Sequence, residues 1–208
     1  MMKRLLFSVF TCIAFAAPTS AQTNTSTNKQ IRDAEIARIN AYCQELDDYA
    51  KRNPKLGRFF GDVSSGMEGE KSQWREFKSE EEREEVVTEN DKANVFAKDG
   101  AVDLAYYTFQ SPSGDWAHYV NYYFRTDGAL AKIHARLNTF YGNMIVIRER
   151  FYDPKGKLLS SSQQFLDLET KKKKKPGADF EDETIPLYRT VKALPFYTLL
   201  SKPAAKTK

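Results

Sequence analysis

Short runs of apolar and aromatic residues alternate with turn residues along the central part of the chain, from residue 94 to residue 168. The runs are rich in Val, Ile, Phe and Tyr, and the segments between them contain Pro, Gly, Asp and Ser, a pattern typical of an antiparallel meander. The predicted strands lie near residues 94–98, 101–110, 116–126, 129–139, 143–152 and 157–168. Residues 187–191 are an optional further strand.

A helical pattern precedes these strands. From residue 30 to about residue 52, apolar side chains recur at steps of three and four residues, which predicts a helix with one apolar face that ends before Pro54. The capping-box spacing of Ser79 and Glu82 predicts a second, short acidic helix over residues 80–87. The predicted fold class is α+β: a long N-terminal helix packed on a twisted antiparallel β-meander of five to seven strands.

The turn residues predict which strand residues lie opposite one another. Asp127-Gly128 is a favoured pair for a two-residue type I′ hairpin, and Phe140 to Gly142 fits a three-residue loop. A three-residue turn at Gly128 would place apolar side chains of one strand opposite polar ones of the next, so the two-residue turn is preferred. The pairs it predicts are Thr126 with Ala129, Phe124 with Ala131, Tyr122 with Ile133, and Val120 with Ala135.

This register gathers large apolar side chains on one face of the sheet, which we predict to be the core. Burying each of them is worth roughly 1.5–3 kcal/mol. The predicted core face consists of Val102, Leu104, Tyr106, Trp116, Val120, Tyr122, Phe124, Ile133, Leu137, Ile145, Ile147, Phe151, Leu159 and Phe165.

The opposite face gathers cations and tyrosines, and we call this set the predicted platform. Its members are Tyr119, Tyr123, Lys132, His134, Arg136, Arg148 and Arg150. The register would pair Tyr119 with Arg136, His134 with Arg148, and Lys132 with Arg150. Facing cations cost stability unless solvent or an anion separates them. The set therefore predicts binding of an anionic partner such as an acidic glycan, a lipid headgroup or a peptide carboxylate. An ordinary solvated face, or cover by the helix or by an acidic segment, is the alternative.

The N-terminus has the three parts of a secretory signal peptide. Lys3 and Arg4 are followed by an apolar stretch over residues 5–17 and by small residues that end at Ala21. The apolar stretch is shorter than the roughly 20 residues that span a bilayer. We expect cleavage after residue 21, a periplasmic or extracellular location, and one globular domain over residues 22–208.

Composition limits the chemistry of that domain. The 208 residues have a formal net charge of +4, and loss of Lys3 and Arg4 with the signal leaves +2 (4 − 2). This near-neutral balance does not favour nucleic acid as a partner. Only Cys43 would remain of the two cysteines, so neither an intramolecular disulfide nor a cysteine metal cluster is expected, and Cys43 is predicted to be buried and inert. We expect a flexible lead at 22–29, a charged loop at 169–184 and a disordered tail at 202–208.

Candidate catalytic residues are few. The two histidines, His118 and His134, fall on opposite faces of the predicted sheet, so they cannot act as a pair, and His118 is predicted to be a satisfied core or edge residue. No nucleophile elbow, phosphate-binding loop, metalloprotease motif or dinucleotide fingerprint is present in the sequence, so no cofactor or metal is expected. The pattern favours a non-catalytic binding module. A small hydrolase or isomerase with a pocket between helix and sheet, or a carrier of an apolar ligand, remains the alternative.

Overall fold

The computed structural model describes residues 21–65, 69–98, 100–111, 113–177 and 184–201. Its helices are α1 (Ala21–Arg52), α2 (Glu80–Val86) and α3 (Tyr197–Leu200). Its strands are β1 (Arg58–Asp62), β2 (Trp74–Phe77), β3 (Lys92–Lys98), β4 (Ala101–Gln110), β5 (Trp116–Phe124), β6 (Leu130–Thr139), β7 (Met144–Tyr152) and β8 (Leu158–Asp167). The α+β class is confirmed. No helix of the described ranges is both long and apolar enough to cross a membrane.

The strands form one antiparallel sheet in the order β2-β1-β3-β4-β5-β6-β7-β8. The predicted count of five to seven strands is wrong, because β1 and β2 precede residue 94, where the first strand was predicted. Gly61 lies within β1 for a packing reason. A Cβ atom there would come within 2.7 Å of Val87 and 3.2 Å of Phe77, so β1 needs glycine where α2 and β2 approach it.

Helix α1 begins at Ala21 and takes in residues 22–29, which were expected to be a flexible lead. Its apolar side chains share a buried cluster with the sheet. The helix contributes Ile39, Cys43, Leu46 and Ala50, and the sheet contributes Phe96, Leu104, Tyr123, Ala131 and Phe151. Polar contacts flank this cluster. The Tyr42 hydroxyl lies 2.9 Å from both Asp103 Oδ1 and the Phe124 carbonyl oxygen.

The other face of the sheet is covered by the C-terminal segment, residues 184–201. Phe196 stacks on Phe60 with ring centroids 4.4 Å apart, and Tyr122 donates a hydrogen bond to the Pro186 carbonyl at 2.8 Å. Ile185 and Leu194 are buried in the same cluster. The sheet therefore has a buried cluster on each face, whereas the sequence pattern predicted one core face and left cover of the other face as an alternative.

The β5–β6 hairpin differs from its predicted geometry. Gly128 N donates to Arg125 O at 2.7 Å and Arg125 N to Ala129 O at 2.8 Å, so the loop has three residues, and Gly128 has a φ of 81°. Asp127 Oδ1 fixes this loop by accepting from Ala129 N at 2.9 Å. The predicted pair of Thr126 with Ala129 is therefore wrong.

A bulge in β6 then restores the predicted register further along the hairpin. Phe124 lies opposite Leu130, while Tyr123 lies opposite Lys132, which leaves Ala131 as the extra residue. The pair of Phe124 with Ala131 is wrong. The pairs of Tyr122 with Ile133 and Val120 with Ala135 are confirmed.

The β6–β7 hairpin contains one residue more than predicted. Thr139 pairs with Met144, and Asn143 N donates to Phe140 O at 2.9 Å, so residues 140–143 form a four-residue loop. Asn143 adopts the left-handed conformation with a φ of 52°, which asparagine tolerates better than most residues. One extra residue exchanges the two faces of β7 relative to the prediction. Strand β8 keeps its predicted faces, because Phe165 lies opposite Val146, which lies opposite Leu137.

Helix α2 matches its prediction. Ser79 Oγ accepts from Glu82 N at 3.2 Å, as the capping box requires. The optional strand at 187–191 is replaced by a single bridge between Thr190 and Ala129, followed by a 3₁₀ turn and α3. Residues 1–20 of the expected signal peptide, residues 178–183 of the expected charged loop, and the 202–208 tail lie outside the described residues.

Candidate binding surface

The structure divides the predicted platform between the two faces of the sheet. Tyr119 lies opposite Arg136, as predicted. His134 lies opposite Glu149 rather than Arg148, and Lys132 lies opposite Phe151 rather than Arg150. Arg148 and Arg150 therefore project from the face that the C-terminal segment covers, while the other five members project from the α1 face. The expectation of one seven-residue surface is wrong because of the extra residue in the β6–β7 loop.

Two members on the α1 face are buried against the helix. Tyr123 is 3 % exposed and Lys132 is 8 % exposed. The Tyr123 hydroxyl donates to Asp47 at 3.1 Å, and burial raises its pKa. Lys132 Nζ lies 2.8 Å from both Asn40 Oδ1 and Glu149 Oε1. These contacts link α1 to the sheet, so the two side chains are structural.

The two arginines on the other face lie near a buried histidine. Arg148 is 4 % exposed, and burial, together with the nearby charge of Arg150, lowers its pKa. His118 is 2 % exposed, and burial, together with the charge of Arg148, lowers its pKa to about 4. The imidazole is therefore neutral at physiological pH. His118 is a core residue, as predicted. Its Nε2 has no hydrogen-bond partner among the described residues, so the expectation that its hydrogen bonds are satisfied is not met.

The three remaining members line a shallow cavity of about 380 Å³. Two asparagines on the same strands complete it, and we call this cavity the β5–β6 cup. Its lining residues are Tyr119, Asn121, His134, Arg136 and Asn138. Strand pairing fixes the arrangement, because Tyr119 lies opposite Arg136 and Asn121 lies opposite His134.

Arg136 is the exposed cation of the cup. Its Nε donates to Asn138 Oδ1 at 2.9 Å, which orients the guanidinium group. Within the part of the chain that the structure describes, its two terminal nitrogens have no protein acceptor. Beside it, Tyr119 is 44 % exposed. The cup therefore offers a fixed cation next to an accessible aromatic ring.

His134 lies at the edge of the cup next to a carboxylate. Its Nδ1 is 3.6 Å from Glu149 Oε1, and the same oxygen binds Lys132. Partial burial raises the pKa of Glu149, but its contacts with Lys132 and His134 outweigh this and hold the pKa below its ordinary value. Glu149 is therefore ionised and forms an ion pair with Lys132, and Arg136 is the exposed arginine of the cup.

Sequence reasoning missed Asn121 and Asn138. The alternation of side chains along a strand places residues two apart on the same face, so the pattern already linked Asn121 to Tyr119 and Asn138 to Arg136. They lie on the predicted platform face but were not counted among its members.

The two histidines lie on opposite faces, as predicted, since His118 pairs with Leu137 while His134 pairs with Asn121. Within the described ranges, no group of three or more His, Cys, Asp or Glu side chains is gathered that could hold a metal ion. Comparison with protein-family models, with curated proteins and with solved structures found no match.

Proposed function

We propose that this protein is an exported binding module and that its ligand site is the β5–β6 cup. The ligand is an anionic molecule that presents a carboxylate or a phosphate next to a flat or apolar group. Acidic glycans, lipid headgroups and peptides with a free carboxylate share this chemistry. The observation that supports the proposal is the oriented guanidinium of Arg136, which lies beside the exposed ring of Tyr119.

The chemistry of the cup fits such a ligand in two ways. A guanidinium group binds carboxylates and phosphates through two parallel hydrogen bonds, and the terminal nitrogens of Arg136 are available for them. The Tyr119 ring supplies a face for the adjoining flat or apolar group. The amides of Asn121 and Asn138 add donors and acceptors that make the lining polar without adding charge.

A panel of anionic probes tests this proposal. Oligogalacturonate, glycerol phosphate and an acetylated peptide with a free C-terminus are titrated below about 50 mM salt, where charge interactions are weakly screened. We expect at least one probe to bind and Arg136→Gln to weaken it by about tenfold or more. Lys155→Gln is the matched control, because it removes an exposed charge from the β7–β8 turn. Equal affinities in both variants, or no binding of any probe, would refute the proposal.

Export is proposed from the sequence of the N-terminus, with Lys3 and Arg4, the apolar stretch and the small residues before Gln22. Expression in a bacterial host with fractionation and N-terminal sequencing tests it. The expected result is a chain that begins at Gln22 outside the cytoplasm. A chain that keeps residues 1–21 and stays in the cytoplasm would contradict it.

We infer further that α1 remains docked on the sheet in solution. The supporting contacts are the buried side chains of Cys43 and Leu46 and the buried Lys132, which bridges to Asn40. This arrangement bears on the apolar-carrier alternative, because side chains already fill the space between helix and sheet. An apolar ligand would have to displace the helix.

A hydrolase or isomerase is the second candidate, because His134 lies 3.6 Å from Glu149 at the edge of the cup. A histidine beside a carboxylate is an arrangement used for general acid–base catalysis. Turnover of activated esters by the purified protein, lost in His134→Gln, would favour this candidate. Probe binding that His134→Gln leaves intact, without turnover, would favour the binding module.

A further inference from the structure

The tip of the β6–β7 hairpin exposes two adjacent aromatic side chains. Phe140 is 70 % exposed and Tyr141 is 69 % exposed, more than any other large hydrophobic side chain of the described residues. Hydrogen bonds hold their backbone in place, from Phe140 N to Asp115 O at 3.0 Å and from Tyr141 N to Thr139 Oγ1 at 3.0 Å. The rings are therefore presented to solvent on a fixed turn.

The lysine run 171–175 is fixed beside this tip. Lys174 Nζ donates to the Gly142 carbonyl at 2.7 Å, and Lys174 N donates to the Phe165 carbonyl at 3.0 Å. Lys173 forms a β-bridge with Leu166. This part of the expected charged loop is thus paired with the end of β8 and tied to the aromatic turn.

Charge at the tip is strongly positive. The segment from Phe165 to Lys175 contains five lysines and two acids, a net charge of +3. One of the acids, Asp167, accepts from Thr170 N at 2.9 Å and lies 3.3 Å from Lys174 Nζ. The other, Glu169, is exposed. The side chains of Lys172, Lys173 and Lys175 are exposed as well.

We propose that Phe140, Tyr141 and the lysine run 171–175 form a docking surface for an anionic lipid bilayer. Aromatic side chains favour the level of the lipid headgroups, where an apolar ring and a polar group are both accommodated. Lysines near an anionic bilayer are attracted to it. Phe140 and Tyr141 enter the headgroup region, and the lysines contact the charged headgroups around them.

The geometry favours a bilayer over a nucleic acid. A single-stranded nucleic acid is bound by aromatic rings spaced along a basic groove, whereas these two rings are neighbours at the apex of a turn. A protruding apex with lysines at its side matches a flat, negatively charged surface. This inference does not rest on the β5–β6 cup, and its test uses different residues.

Vesicle flotation tests the proposal. The chain that begins at Gln22 and its variants are mixed with phosphatidylcholine vesicles, with or without about 30 % phosphatidylglycerol. We expect flotation with the anionic vesicles only. The double variant Phe140→Ser/Tyr141→Ser and the triple variant Lys172→Gln/Lys173→Gln/Lys175→Gln should each bind at least about tenfold more weakly, because both ring burial and charge contribute to the affinity.

A control double variant, Lys155→Gln/Lys157→Gln, neutralises two exposed lysines at the β7–β8 turn and should float like the parent. All substituted side chains are exposed, and thermal unfolding checks that each variant is folded. Equal flotation of the tip variants and the parent, or no flotation with anionic vesicles, would overturn the proposal.

A fluorescence measurement separates a bilayer from a soluble polyanion. In Phe140→Trp, the added indole should shift its emission to shorter wavelength with anionic vesicles but not with heparin, after subtraction of the parent spectrum. Heparin binding of comparable strength, without an emission shift in vesicles, would identify a polyanion site and contradict the proposal.

Discussion

Asp91→Asn should stabilise the protein at neutral pH, because the surroundings of the half-buried Asp91 carboxyl disfavour its ionised form. Burial and the nearby charge of Asp62 raise the pKa of Asp91 from 3.8 to about 6. Asp62 is itself held as an anion, since it accepts from Ser64 N at 3.0 Å and Gln73 N at 2.8 Å, and these bonds outweigh burial and lower its pKa. Ionising Asp91 therefore opposes folding.

The size and sign of the effect follow from linkage. The folded-state pKa of Asp91 lies above the unfolded value, so the folded protein loses stability as pH rises from about 4 to about 6, and the loss is complete above that window. If the whole pKa shift contributed to stability, it would correspond to roughly 3 kcal/mol of unfolding free energy. Partial exposure of the carboxyl reduces the expected loss to about 1–2 kcal/mol. Asparagine has nearly the same shape and no charge, so it should remove the loss.

Urea unfolding at several pH values between about 4 and 8 measures the difference in the free energy of unfolding. Asp91→Asn should match the parent at the acidic end and exceed it by about 1–2 kcal/mol at the neutral end. Asp33→Asn, on the exposed part of α1, is the control. Its free energy of unfolding, relative to that of the parent, should not increase with pH. A variant that is no more stable than the parent at neutral pH would refute the reasoning.

Three further predictions concern the packing of the sheet. Leu104 is fully buried against α1, so Leu104→Ala should lower the free energy of unfolding by about 2–5 kcal/mol. Urea unfolding measures this loss, and a loss below about 1 kcal/mol would contradict the packing. Burial raises the pKa of the Cys43 thiol to about 12, so a chain that begins at Gln22 should react with a thiol reagent only after unfolding, and rapid labelling of the native protein would show that α1 is undocked. Gly128→Ala should cost about 1 kcal/mol because the φ of 81° disfavours a Cβ atom, and an unchanged unfolding midpoint would exclude the three-residue loop.

Local patterns predicted the elements of this fold well, because their signals lie within a few residues of one another. The apolar spacing of Ile39, Cys43 and Leu46 predicted α1, and Ser79 with Glu82 predicted α2. Strands β3 to β8 followed from their aromatic and β-branched runs. Strands β1 and β2 were missed because each is short and because Gly61 resembles a loop residue until its neighbours in space are known.

The candidate site was less predictable, since its composition depends on single-residue differences in two hairpins. Asn143 lengthens the β6–β7 loop by one residue, and this alone moves Arg148 and Arg150 to the far side of the sheet. At the β5–β6 hairpin, the longer loop is offset by the bulge at Ala131. Both differences amount to one residue, and a shift of one residue moves every later side chain of a strand to the opposite face.

The sequence analysis considered cover of the platform face by the helix or by an acidic segment, but it did not predict that the C-terminal segment covers the other face. The C-terminal segment with Phe196 packs on one face, and α1 buries Tyr123 and Lys132 on the other. Contacts so distant along the chain leave no periodic signal. The β5–β6 cup is the part of the predicted platform that stays open on the α1 face.

The most direct test of the account compares Arg136→Gln with Arg150→Gln in the titration of the best-binding anionic probe. Each variant removes one arginine charge, but the two side chains project from opposite faces of the sheet. The account predicts that affinity falls about tenfold or more in Arg136→Gln and stays at the parental value in Arg150→Gln. Equal losses in the two variants would contradict it, since both arginines would then have to contact the same ligand.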